Sequence, residues 1–332
     1  MDLSPQRVSY SKVLPRERIK RSPRWDNDEG VAATVGTIMA LLVFLSFFGI
    51  FTNQFVPVWM SDNESEHMSE AMEQIVQLKS SIDGLIADYP NSLVAPTPIF
   101  VPVKLSSAGI PVFAAPTAGV LKFVPNIASS VPSFNVSYTY LANTSTPTYL
   151  SLDPSNDGGS GGYLELYCPN RYYVEQRLVY EGGAVLVNQS EGEFVIAGIQ
   201  MSVTSYVSAT GTSKVMRLTQ VSLVGINKTI GGTGSKAVYA DLMYADVTPY
   251  LNPSGSDVTI EIVSKHTSAW TSYFGKILNA SLAGLEYGTD FTITCSESGT
   301  EGYSVLTVTV NGIEVLNHAR AVVQLSIGEL GV

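Results

Sequence analysis

Charged residues are scarce in this chain of 332 residues: they make up 14% of it, against roughly 25% in soluble globular proteins. A formal net charge of −10 argues against nucleic acid as a partner, because binding to phosphates requires a basic surface. Two cysteines and three histidines provide few soft metal ligands, so neither a zinc ribbon nor an iron–sulfur protein is expected.

Motifs that carry chemistry are also missing. The sequence contains no HExxH and no GxxxxGK[ST], which would indicate a zinc protease or a phosphate-binding loop. The three histidines lie far apart in the sequence, and none has a cysteine or a second histidine at ligand spacing. We therefore predict no catalytic residues, no metal site, no cofactor and no enzymatic activity.

The few charges are unevenly distributed. Residues 1–29 contain seven of the 19 basic residues and five acids, whereas the rest of the chain contains 12 basic and 24 acidic residues. A basic tip on an acidic body indicates two compartments. Residues 1–29 are predicted to be a basic cytoplasmic tail or a leader.

No charged residue occurs between Gly30 and Ser61, and the stretch from Val31 to Phe51 is almost wholly apolar. About 20 apolar residues cross the roughly 30 Å of hydrocarbon in a bilayer. A buried core helix rarely runs this long without charge, and the apolar region of a cleaved secretory signal is shorter. Residues 30–60 are therefore predicted to be a transmembrane helix in contact with the lipid bilayer. The basic tail places the N-terminus in the cytoplasm of a single-pass protein, with the C-terminal domain outside.

An amphipathic juxtamembrane helix is predicted at residues 61–89, capped by Asp62 or Asn63 and ended by Tyr89 before Pro90. Two interpretations remain open: the helix packs on its own domain, or it packs against copies of itself. The apolar positions are spaced alternately by three and four residues, which favours a helix with one apolar seam; they are Met68, Ala71, Ile75, Leu78, Ile82 and Leu85.

The remainder of the chain favours β-structure. Residues 90–132 contain eight prolines and are predicted to be a Pro-rich extended segment, either edge strands or a spacer. Residues 133–332 are predicted to be a β-rich extracellular domain like an antiparallel β-sandwich, interrupted by one helix at residues 267–278. Turns are expected at residues 181–183 and 231–234, and Asn311-Gly312 is the strongest hairpin signal in the chain.

Residues typical of an exported domain follow the apolar segment. Cys168 and Cys295 both lie in the predicted ectodomain, where an oxidising exterior favours a disulfide between them; two buried thiols are the alternative. Six Asn-x-Ser/Thr sequons occur after Ser61 and none before it, which suggests glycosylation; they begin at Asn63, Asn135, Asn143, Asn188, Asn227 and Asn279.

Asp28-Glu29-Gly30-Val31, followed by an apolar and then an amphipathic helical stretch, resembles the N-terminus of archaeal type IV pilin-like proteins with class III signal peptides. This resemblance covers about 60 residues. It implies cleavage by a prepilin peptidase between Gly30 and Val31, and a helix that anchors the subunit and packs with other pilin-like subunits below a β head. The Asp-Glu pair departs from the basic residues usual before that glycine.

Two functions therefore stand as hypotheses. One is a pilin-like cell-surface subunit with a structural or adhesive role, anchored by its N-terminal helix. The alternative is an uncleaved single-pass membrane protein whose β ectodomain binds a ligand or a glycan.

Overall fold

The computed structural model describes residues 27–89, 96–126, 132–141, 147–152, 160–208, 211–281 and 284–329. The chain divides into two units, Met1–Asn53 and Gln54–Val332. The first unit contains helix α1, and the second contains the β domain and two further helices.

The helices are α1 (Asn27–Ile50), α2 (Val56–Asp88) and α3 (Thr267–Asn279), and a π-helical turn (Phe51–Phe55) separates α1 from α2. The predicted helix at 267–278 is confirmed to within one residue. The predicted cap at Asp62 or Asn63 is wrong, because α2 begins at Val56 and passes through both residues. Pro57 lies in the first turn of α2, directly after the π-helical turn, and it has no N–H to donate to the preceding turn.

Strands make up most of the second unit, as the composition predicted. Those of its first half are β1 (Ile99–Lys104), β2 (Gly119–Pro125), β3 (Ser133–Leu141), β4 (Pro147–Leu152), β5 (Ser160–Cys168), β6 (Gln176–Glu181) and β7 (Ala184–Gln189). Those of its second half are β8 (Gly192–Ala197), β9 (Met201–Ser208), β10 (Gly211–Gly225), β11 (Lys228–Gly232), β12 (Ser235–Ser264), β13 (Phe291–Glu297) and β14 (Ser304–Glu329).

Hydrogen bonds connect these fourteen strands of the described residues into one sheet, whose main path is β8-β7-β6-β5-β3-β12-β14-β10-β9. The sequence predicted an antiparallel sandwich, but the sheet is mixed. Strand β10 pairs in parallel with β14, in an unbroken register from Val215 opposite Val315 to Gly225 opposite Leu325. Strand direction is set by pairing over long distances in the chain, which local sequence patterns do not encode.

The predicted hairpin at Asn311-Gly312 is wrong. Strand β14 continues through both residues, and its pairing with β12 is irregular there. Gly312 has a φ of 69°, and Gly255 faces it with a φ of 72°. The glycines thus accommodate a bulge between two long strands, a conformation that shares its demand for positive φ with a tight hairpin.

The turns predicted at residues 181–183 and 231–234 are confirmed. Gly182 and Gly183 both have positive φ and join β6 to β7 in a hairpin, and the glycine-rich stretch at 231–234 joins β11 to β12. In the Pro-rich segment, β1 pairs with β12 alone among the described strands, as expected of an edge strand, whereas β2 pairs with both β5 and β11 and is not at an edge.

The domain has two hydrophobic cores on opposite faces of the same long strands. In β10, Leu218 belongs to the second core and Val221 to the first. In β14, Leu316 belongs to the second core and Ala321 to the first. Side chains alternate along a strand, so odd spacings of three and five residues put the members of each pair on opposite faces. The first core lies against α2, and the second lies against α3.

Candidate functional site: the apolar helix and the attachment of α2

Every large apolar side chain of α1 from Val31 to Ile50 is exposed, with exposed fractions between 42% and 68%. The hydroxyls of this stretch donate to carbonyl oxygens of the preceding turn: Thr34 to Gly30 at 3.0 Å, Thr37 to Thr34 at 2.8 Å, and Ser46 to Leu42 at 2.8 Å. Polar groups satisfied within the helix do not require water. In the described part of the chain, the helical run from Gly30 to Asp88 contains a segment apolar enough to cross a membrane.

The predicted cleavage junction lies inside α1. The helix begins at Asn27, so the Gly30–Val31 peptide bond is part of its first turns. Both residues are exposed, and their carbonyl oxygens accept from the Thr34 hydroxyl. The bond is therefore accessible and helical.

The apolar seam predicted for α2 is buried. Its residues contribute to the first core with strands β1, β5, β6, β7 and β12, so the helix packs on its own domain. The opposite side of the helix carries exposed polar residues such as Glu66, Glu73 and Gln77. The buried seam residues are Met68, Ala71, Ile75, Leu78 and Ile82, and Leu85 is half-buried against them.

A buried carboxylate fixes the beginning of this seam. Glu64 of α2 is fully buried and accepts from the Thr117 hydroxyl at 2.7 Å. It also accepts from three consecutive backbone N–H groups in the loop between β5 and β6: Arg171 at 3.0 Å, Tyr172 at 2.8 Å and Tyr173 at 2.8 Å. Hydrogen bonds to a charged acceptor are the stronger kind, so this cluster is a firm link between α2 and the sheet.

The electrostatics of Glu64 agree with its role as a charged acceptor. Burial alone would raise its pKa, but the Thr117 hydroxyl and the three backbone N–H groups together lower the pKa below its usual value. Donors that favour the ionised form outweigh desolvation here. The carboxylate is therefore ionised wherever the domain is folded near neutral pH.

A second set of contacts connects α2 to β1 through Lys104. His67 Nε2 lies 2.9 Å from the Lys104 carbonyl oxygen, and the Gln74 Oε1 atom accepts from the Lys104 N–H at 2.8 Å. The Lys104 ammonium lies 2.7 Å from Glu70 Oε2. Burial of His67 lowers its pKa, against the opposing effect of the Lys104 carbonyl. Three successive turns of α2 are thus bonded to one residue of the sheet.

The position of Glu64 in the sequence is a signal of its burial, although Glu64 was not among the predicted seam residues. Glu64 lies four residues before Met68 and continues the buried stripe toward Met60. An acid on a buried stripe requires partners, because an unpaired buried charge is very costly. The three backbone partners come from a loop more than 100 residues away, and Thr117 lies 53 residues away; no local pattern reveals either.

The six sequons divide by exposure. Asn227, in the loop after β10, and Asn279, at the end of α3, are exposed. Asn63 donates to the Ala108 carbonyl at 3.1 Å, Asn188 donates to Glu193 at 3.3 Å, and Asn135 is half-buried on β3. Asn143 lies outside the described residues. Asn227 and Asn279 therefore present the accessible side chains among the described sequons.

The predicted disulfide is not formed. Cys168 is buried in the first core, at the end of β5, whereas Cys295 is exposed on β13, and both are free thiols. Burial raises the pKa of Cys168 to about 12. The two strands belong to different parts of the sheet and pair with different neighbours, so co-location in one domain did not bring the sulfurs together.

Titratable side chains also meet beneath α3. Glu181 is buried, and its Oε1 accepts from the indole N–H of Trp270 at 2.8 Å and from the Ser264 hydroxyl. His266 Nδ1 lies 2.9 Å from Glu193 Oε2. A cavity of about 30 Å³ opens beside them, which is room for about two water molecules. Sequence reasoning missed this cluster because its members come from four separate segments.

The hydrogen bonds of this cluster connect β6, β8 and the end of β12 to α3. The Ser264 hydroxyl donates to Glu181 and accepts from the backbone N–H of His266 at 2.9 Å, so its hydrogen bonds do not include the imidazole base that a serine nucleophile requires. Glu193 accepts from the backbone N–H groups of Ser268 and Ala269 at the start of α3. A carboxylate at this position accepts from backbone N–H groups that have no partner within the helix, and the helix dipole stabilises its negative charge.

The sheet also presents aromatic rings to solvent on the face opposite the first core. Phe100 of β1 pairs with Tyr239 of β12, and their ring centroids are 5.4 Å apart. Met243 and Tyr244 follow on the same strand, where a bulge in the pairing with β14 puts both side chains outward. We call these four residues the aromatic platform. Exposed apolar side chains that form a patch are typical of interaction sites.

Comparison of the chain with protein-family models, curated proteins and solved structures finds no match.

Proposed function

We propose that this protein is a pilin-like, membrane-anchored subunit of the cell surface, with a structural or adhesive role. In this proposal α1 lies in the lipid bilayer, the basic N-terminal residues are cytoplasmic and the β domain is extracellular. The observation that carries the proposal is the surface of α1: a helix whose large apolar side chains are all exposed requires an apolar environment, either lipid or other helices.

The attachment of α2 supports the same proposal. A surface domain that is anchored through a membrane helix needs a firm connection to the helix with which the domain begins, which is α2. The buried seam of α2, the Glu64 cluster and the contacts to Lys104 provide one. The exposed sequons Asn227 and Asn279 are compatible with an extracellular, glycosylated domain.

The mature N-terminus tests the pilin-like version. We expect protein recovered from membranes to begin at Val31, as measured by mass spectrometry of the intact chain. A Gly30→Ile variant should retain residues 1–30, because the bulky side chain occupies the position at which the resemblance places cleavage. Gly36→Ala is the matched control: it alters a second exposed glycine of α1 and should be processed normally. Wild-type protein that keeps residues 1–30 would overturn cleavage.

The second candidate is an uncleaved single-pass protein whose β ectodomain binds a ligand or glycan. Two observations favour it: α1 begins before the Gly30–Val31 bond, and the aromatic platform is exposed. Retention of residues 1–30, together with glycan binding by full-length protein in detergent micelles, would support this candidate. Binding should then be lost in Tyr239→Ala and kept in Tyr149→Ala, which removes an exposed tyrosine from β4.

A further inference from the structure

Strand β9 lies at one end of the main path of the sheet, and one of its two edges is open. It pairs with β10 on one side in a regular register from Met201 opposite Leu218 to Ser208 opposite Gly211. Its eight residues, MSVTSYVS, include no charge, no proline and no glycine. Among the backbone hydrogen bonds of the described residues, none joins the other side of β9 to another segment. An open edge of this kind is a template for a further strand.

The other strands that pair on one side only have features that block such pairing. Strand β8 pairs irregularly with β7, and α3 lies against it through Glu193. The remaining ones carry proline or charge, which are known protections of a sheet edge: Pro102 and Lys104 in β1, Pro147 in β4, Lys228 in β11 and Glu297 in β13. Strand β9 is thus the unprotected edge of the described sheet.

The surroundings of β9 favour an added strand with apolar side chains. A groove of about 230 Å³ lies between Met201 and Val203 of β9 and Ile277 and Leu278 at the end of α3. It borders the second core, to which Val203 belongs. At the far end of the strand, Val207 is 87% exposed and Tyr206 is 50% exposed. One end of β9 therefore has an apolar groove, and the other end has apolar side chains without cover.

We propose that β9 pairs antiparallel with β9 of a second copy of this chain, about a two-fold axis at Thr204. This register places Met201 opposite Val207 of the partner subunit and Ser202 opposite Tyr206 of the partner subunit. Val207 then lies beside the groove at Met201, on the second-core face, and each pair occurs twice by symmetry. Cross-strand pairs of this kind stabilise antiparallel sheets.

A second copy fits better than an unrelated strand because the edge complements itself. Pairing residues whose numbers add to twice 204 keeps equivalent faces of the two sheets together, since side chains alternate. It also joins seven residues of each strand, from Met201 to Val207. No like charges oppose each other, because β9 contains none. The interface does not depend on whether residues 1–30 are removed.

Cysteine cross-linking in native membranes tests this register with the full-length chain. In a Cys295→Ser background, which removes the exposed native thiol, Thr204→Cys should give a disulfide dimer under mild oxidation. Directly opposed Cα atoms in antiparallel strands lie about 4.5–5.5 Å apart, within disulfide range. Ser202→Cys is the register control, because its two copies would be offset by four residues, about 13 Å. Asn227→Cys, in an exposed loop, reports random collision.

The proposal predicts a dimer for Thr204→Cys well above the two controls. Equal cross-linking in all three variants, absence of a Thr204→Cys dimer, or a dimer only at Ser202→Cys would each overturn it. A Thr204→Lys variant provides a second measurement: two ammonium groups at the axis should abolish the dimer seen by amine-independent cross-linking in membranes. Thr292→Lys, on the edge strand β13, should leave the dimer unchanged; equal loss in both would overturn the proposal.

Discussion

Helices α1 and α2 follow one another in the chain, but they satisfy their apolar side chains in opposite ways. In α1 the large apolar side chains are exposed all around the helix. From Met68 onward in α2 they form a single stripe that the β strands cover, and buried polar residues bond that stripe to the sheet. The comparison shows that the spacing of apolar residues distinguishes two kinds of helix. A helix with one apolar side can be covered by its own domain, whereas a helix that is apolar all around cannot.

The largest effect is expected from a charge in α1. Leu42→Arg should make the free energy of membrane insertion less favourable by about 3–4 kcal/mol, which lowers the equilibrium constant for insertion by more than about a hundredfold. Gln77→Arg adds the same charge to the exposed side of α2 and should leave insertion intact. Membrane fractionation with alkaline extraction measures both. If Leu42→Arg remains in the extracted membranes, the distinction between the two helices fails.

The next effect is expected from truncation of the α2 seam. Ile82→Ala removes a fully buried side chain of the first core and should lower the free energy of unfolding by about 3 kcal/mol. Gln77→Ala, at an exposed position five residues earlier on the same helix, should change it by less than about 0.5 kcal/mol. Denaturant unfolding of full-length protein in detergent provides the measurement. Equal values for the two variants would mean that the seam is not packed in solution.

A smaller loss is expected from neutralising Glu64. Glu64→Gln replaces a charged acceptor by an amide that presents N–H groups to donors, at a cost of about 2 kcal/mol. Glu66→Gln, two residues along and exposed, should be neutral. The difference between wild type and Glu64→Gln should shrink as the pH falls below 4.5, because a lowered pKa makes the stabilisation available above the unfolded value and lost below the folded one. A difference in the free energy of unfolding that stays constant across that pH range would contradict an ionised Glu64.

The smallest effect is expected from His67. Its pKa is lowered by burial, so the unfolded chain binds more protons than the folded one as the pH falls below 6.5. Its contribution to stability is therefore complete above pH 6.5 and declines toward the lower folded pKa. Unfolding curves of wild type and His67→Gln between pH 7.5 and about pH 5 should show a steeper decline in wild type. Parallel curves would show that His67 is solvated. Helix α1 has no charged residue after Gly30, so its membrane insertion should not change over this pH range.

Local signals predicted the elements with a local cause. The apolar run, the seam of α2, the helix that became α3 and the glycine turns at 181–183 and 231–234 all depend on neighbours in sequence. Asn311-Gly312 shows where this reasoning fails: the dipeptide indicates a need for positive φ, but a bulge and a hairpin share that need, and only the partner strand β12 decides between them.

The candidate site divides in the same way. The apolar surface of α1 is readable from composition, whereas Glu64 meets Tyr172 and Tyr173 only because β5, β6 and α2 converge. Cys168 and Cys295 illustrate the converse, since two thiols in one domain were expected to meet and did not.

By itself the sequence determined an apolar helical stretch without charged residues from Gly30 onward, a following helix with one apolar seam and a β-rich remainder. These features depend on the hydrophobic period and on turn residues, which act over a few positions. The tertiary structure alone decided the parallel pairing of β10 with β14, the two cores on opposite faces of the same strands, the burial of Glu64 and the open edge at β9. These features depend on contacts between segments far apart in the chain, whose closure no local pattern specifies.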